Sequence, residues 1–114
     1  MTGQGSTDRL LALGAAFAAR LETDTGRLHA LARTLHSAPP AEHAQVLEEI
    51  RELAHRMRGT APAFDAADIG DAAAALEEAI VDAQDLHPAL QQLLSLLDSA
   101  IGTHGRARSF RPRL

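Results

Sequence analysis

His55 stands between arginines and a glycine in the run Leu53-Ala54-His55-Arg56-Met57-Arg58-Gly59-Thr60-Ala61. Placed on a helix at about 100° per residue with Ile50 as zero, Val46, Leu47, Leu53, Ala54, Met57, Ala61 and Phe64 fall within about 60°. They form one apolar stripe. His55 falls at about 140°, on the opposite face. One turn away lie Arg51, Arg58 and Gly59. The spacing predicts an imidazole projecting into water from a rigid helix, flanked by guanidinium groups, above a residue with no side chain. A neutral imidazole nitrogen is a nucleophile near pH 7 and can carry a covalent group. Guanidinium groups match the charge and geometry of a phosphoryl group. Gly59 lowers helix stability by roughly 0.5–1 kcal/mol relative to alanine and clears space for another protein. The same spacing also describes an ordinary exposed histidine on an Arg/Glu-rich surface.

The longer pattern separates these readings. His55-x-x-Arg58-Gly59-Thr60-Ala61, followed by Phe64, Ile69, Ala73 and Leu76-Glu77, resembles the signature of histidine-containing phosphotransfer (HPt) domains. The match is close over the middle third of the chain. The resemblance implies that His55 is the phosphoacceptor, Arg58 the basic residue beside it and Gly59 the small residue at the docking surface. Arg51 is a supporting candidate by position alone. Two departures concern the backbone. Asp65 stands where the family usually has glycine, and Pro62 sits in the last turn of the histidine helix. Removal of the Pro62 N–H predicts a kink or fraying just past Gly59, with Phe64 pointing inward to anchor the turn.

These residues need a scaffold, and the composition supplies one. The chain has 114 residues, 46% of them hydrophobic, and no cysteine. This predicts a single domain, all-α and rich in Leu and Ala, with no disulfide or thiolate metal site. The expected architecture is an antiparallel four-helix bundle over residues 7–104, with a possible extra short N-terminal helix. Residues 1–6 carry no pattern, and Ser6 or Thr7 can cap a helix from Asp8. Leu10, Leu13, Phe17, Leu21, Leu28, Leu31 and Leu35 then form a stripe, weakened at Gly14, Gly26 and Thr23-Asp24-Thr25. Ser37-Ala38-Pro39-Pro40 ends it, and a second helix runs from about Ala41 to Phe64. A third, about 66–83, buries Ile69, Ala72, Ala73, Leu76, Ala79 and Ile80. Its acidic residues Asp68, Asp71, Glu77, Glu78 and Asp82, with Asp85 beyond, read as a solvated exterior. A fourth begins near Pro88, buries Leu90, Leu93, Leu94, Leu97 and Ile101, and closes at Gly102 and Gly105. Residues 105–114 hold four of the eleven arginines and read as a disordered basic tail. Four charges are a weak signal for nucleic acid. His29, His36 and His43 read as surface positions.

No Gly-rich phosphate loop or Ser/His/Asp order is present, and no apolar run has membrane-spanning length. The expectation is a cytoplasmic, monomeric phosphoryl carrier without an ATP site or cofactor of its own. The resemblance implies transfer between receiver-domain aspartates in a His–Asp phosphorelay, with a response-regulator receiver domain and a histidine kinase as partners. Mg²⁺ would belong to the receiver. Two alternatives share the residues: the phosphoacceptor domain of a chemotaxis-type histidine kinase, and a helical adaptor that binds a response regulator without phosphorylation. A free-standing carrier is preferred because the chain begins with Met and ends without a linker.

Overall fold

A computed structural model describes residues 2–102 and 110–113. Four helices follow one another: α1 (Thr2–Ser37), α2 (Pro40–Thr60), α3 (Ala67–Val81) and α4 (His87–Ile101). A single 3-10 turn, Ala61–Phe64, joins α2 to α3. Each helix packs on its neighbour in sequence, and α1 closes the bundle against α4. The short connections make neighbours antiparallel.

Helix α1 has 36 residues against 15 each for α3 and α4, so it overshoots the bundle. Among the described residues no separate N-terminal helix precedes it. The segment expected to fray or stand apart is the first part of α1, since extending a formed helix is far easier than nucleating a new one. Phe17, Leu21, Leu28, Leu31 and Leu35 are buried, whereas Leu13, expected on the same stripe, is half exposed. Between Leu21 and Leu28 the stripe is completed by Asp24 and Thr25, both buried. The Thr25 hydroxyl donates to the Leu21 carbonyl at 2.6 Å, and Asp24 faces Arg56 of α2 at 3.8 Å. Their backbone stays helical because Thr25 is met within its own helix and Asp24 by an arginine of α2.

The core of α2 is the expected stripe, with Val46, Ile50, Leu53, Ala54, Met57 and Ala61 buried. His43 is half-buried rather than free on the surface, and its Nε2 lies 2.8 Å from the Ala38 carbonyl, tying down the α1–α2 connection. Pro62 acts where expected: α2 stays regular through Thr60, one residue past Gly59, and then tightens into the 3-10 turn. Gly70 of α3 makes room for this turn, since a Cβ there would sit 3.1 Å from the Pro62 ring. Asp65 closes the turn at φ 60°, ψ 33°. Glycine takes that left-handed conformation freely, and aspartate is among the residues that best tolerate it.

The chain's three phenylalanines meet at this end of the bundle. Phe17 stacks on Phe64 at 4.4 Å between ring centroids, and Phe110 meets Phe17 edge-on at 4.9 Å. Phe110 is buried, and the Arg113 N–H donates to the Ala63 carbonyl. Residues 110–113 of the expected tail are therefore packed on the bundle. Residues 103–109 and 114, which include most of that tail and Gly105, lie outside the described residues. Gly14 makes the seat: a Cβ there would overlap the Phe110 carbonyl oxygen. Phe110→Ala is expected to lower stability by about 2 kcal/mol. Gly14→Ala, which helix propensity alone would make stabilising by about 1 kcal/mol, should lower it too. The double variant should lose no more than the larger single change, because both remove one contact. Urea denaturation of the four proteins checks this, and a more stable Gly14→Ala protein would contradict the seat.

Candidate functional site

Helix α2 presents His55 on its solvent side, as its angle from the buried stripe requires, with 69% of the side chain exposed. What holds the ring comes from α3. Glu77 is i+4 from the buried Ala73 and i+1 from the buried Leu76, which sets it on the flank of the inner face. It is only 8% exposed. The expectation that Glu77 belongs to a solvated acidic exterior is therefore corrected: its carboxylate turns toward α2.

Three side chains of α2, two arginines and a histidine, converge on that carboxylate. His55 Nδ1 lies 2.8 Å from Glu77 Oε2. Arg58 Nη1 donates to Oε1 at 3.1 Å, and Arg51 Nη1 lies 3.5 Å from Oε2. Burial pushes the Glu77 carboxyl up, but hydrogen bonds from Arg58 and His55, with their charges, outweigh it and hold the group below its usual range. Glu77 is thus an anion at neutral pH.

An ionised carboxylate can only accept, so Nδ1 must carry the proton. The lone pair of the neutral ring is then on Nε2, which has no hydrogen-bond partner among the described residues. Gly59, one turn on, is exposed, and a Cβ there would meet nothing within 4 Å. Arg58 has 48% of its side chain exposed and uses one terminal nitrogen on Glu77.

The structure brings together His55, Arg58, Gly59 and Arg51. Glu77, which the sequence reading placed elsewhere, completes the group. The chain matches no protein-family model, no curated protein and no solved structure.

A second tethered histidine marks what is particular here. His87 Nδ1 lies 2.8 Å from Asp85 Oδ1, with 69% and 72% of the two side chains exposed. Asp85 also accepts the N–H of His87, the first residue of α4, at 3.1 Å. That pair is largely in water and no arginine joins it among the described contacts. His29 is bonded to Asp98 across the α1–α4 seam at 2.8 Å through its Nε2, the ring nitrogen that is open in His55.

Among the described residues, no helix is long and apolar enough to cross a membrane.

Proposed function

We propose that this protein is a phosphoryl carrier in which His55 accepts and returns a phosphoryl group, the role implied by its resemblance to HPt domains. One observation carries the reading: an exposed imidazole whose Nδ1–H is tied to a buried carboxylate, leaving Nε2 open beside Arg58 and an uncovered Gly59.

The chemistry follows from that geometry. The Nε2 lone pair attacks the phosphorus of an aspartyl phosphate on a receiver domain. The N–P bond forms as the bond from phosphorus to the acyl oxygen breaks, and the receiver's aspartate leaves as carboxylate. No proton has to be removed from His55 first. Because Nδ1 keeps its proton, positive charge develops on the ring as the N–P bond forms. Glu77, 2.8 Å away and fixed before the reaction, stabilises that charge. Arg58 has donors free to turn toward the phosphoryl oxygens. The reverse attack by a receiver aspartate returns the group. Mg²⁺ would be the receiver's.

The test is incubation with a receiver domain phosphorylated on its aspartate, following the label. Label should appear on this protein, be lost in acid and survive alkali, as a phosphoramidate does. Binding without transfer would instead mean an adaptor.

Gly59 tests docking separately from chemistry. Gly59→Glu removes a poor helix residue and meets no neighbour, so stability should hold or rise by about 0.5–1 kcal/mol. The same side chain stands where the receiver must approach. Transfer should fall at least about tenfold, equivalent to about 1.4 kcal/mol of lost docking energy. Parent-like transfer by this variant would show that docking uses another face.

A further inference from the structure

Arg51 is placed unlike Arg58. Its Nε donates to Glu48 Oε2 at 2.9 Å and its Nη2 to Glu48 Oε1 at 2.7 Å, a two-pronged grip within one turn of α2. The remaining nitrogen, Nη1, faces Glu77 Oε2 at 3.5 Å. That oxygen is the one that accepts from His55 Nδ1. All three guanidinium nitrogens are therefore directed at carboxylates, whereas Arg58 commits one of its three. The Arg51 hydrogen bonds also hold Glu48 below the usual carboxylate range, so the grip is charged at neutral pH.

We propose that Arg51, anchored by Glu48, is a positioning residue that orients the Glu77 carboxylate and through it selects the His55 tautomer with Nε2 free. It acts through Glu77 and does not touch the transferred group, so the two arginines divide the work. Arg58 serves the phosphoryl and Arg51 serves the ring. A lysine cannot replace it, because one ammonium cannot grip Glu48 on two sides and reach Glu77 in a fixed plane. The proposal rests on His55 being the acceptor, but its test needs no phosphoryl donor.

The readout is the pair of imidazole ¹⁵N resonances of His55 in the unphosphorylated protein, assigned with His55→Gln. They are recorded at about pH 9, where imidazoles are neutral. In the parent protein the two resonances should be well separated, with Nδ1 protonated. In Arg51→Ala the ratio of Nδ1–H to Nε2–H forms should fall about threefold, the coupling expected across one member of a charged network. Arg51→Lys should not restore it, and Glu48→Gln should lower it part of the way. Unchanged backbone amide shifts in α2 and α3 separate this from a loss of structure. A parental ratio in Arg51→Ala, or a parent protein in which Nε2 carries the proton, would overturn the proposal. If Arg51→Ala shifts the ratio but no receiver ever labels His55, the positioning role stands and the carrier reading falls.

Discussion

With glutamine in place of His55, the protein is expected to take up no label from a phosphorylated receiver, while remaining folded. The expected residual is below about 1% of the parent's labelling, because the reacting atom itself is gone. The fold should barely register the change. Most of the ring is in water, and Glu77 keeps Arg58 and Arg51 as partners. A stability change within about 1 kcal/mol is expected, as for surface sites with modest contacts. Far-UV circular dichroism and a urea titration check the fold, and label retention after alkali checks the acceptor. His87 is the built-in control. It has a similar exposure and the same Nδ1–carboxylate tether, but its Asp85 is in water and no arginine is paired there. His87→Gln should transfer as the parent does. Label retained by His55→Gln and lost by His87→Gln would move the site to the start of α4.

The exposure of His55 was legible because α2 repeats its apolar stripe through about three turns, from Val46 to Met57, and its direction follows from periodicity alone. The fold class was legible for the same reason in α3 and α4. What escaped the reading was what depends on distant partners. Gly14 looks like a weak point in a helix until the Phe110 backbone, from the far end of the chain, is seen against it. The one aromatic in the Arg-rich tail was the available signal. Asp24 and Thr25 look like a helix break, but the ion pair with Arg56 and a local hydroxyl bond satisfy them. Glu77 was misread by residue type. Its spacing from Ala73 and Ile80 already put it at the edge of the inner face, whereas carboxylates in a row suggest water. Two arginines and the His55 ring on α2 reverse that preference, and only the packing of α2 on α3 brings them within reach.

Glu77→Gln is expected to slow transfer by about a hundredfold, the scale on which misplaced acid–base groups act, with a stability loss of only about 1–2 kcal/mol. The amide nearly conserves shape, so the difference lies in its donors. Glu77 accepts from His55 on one oxygen and from Arg58 on the other. Glutamine has one acceptor oxygen and a donor NH₂. If the oxygen stays with Arg58, the NH₂ faces Nδ1 and favours a lone pair there. The proton then sits on Nε2, the atom that must attack. The variant also lacks the negative charge that steadies the ring as the N–P bond forms. The pH dependence gives an independent check. Burial raises the Glu77 pKa, but Arg58 and His55 more than offset this, so its folded value is below the ordinary 4.5. A depressed carboxyl contributes stability that is fully present above the unfolded range and lost as pH falls through the folded value. The stability gap between parent and Glu77→Gln should therefore be widest near neutrality and narrow below about pH 4. Asp24 runs the other way, since burial pushes it up against the pull of Arg56 and Arg20. It is present in both proteins and cancels in the difference. Urea denaturation of the two proteins from acid to neutral pH measures the gap. A gap that does not change with pH would mean Glu77 is not the ionised partner of this site, and unchanged transfer would mean that the tether on Nδ1 does not govern the attack from Nε2.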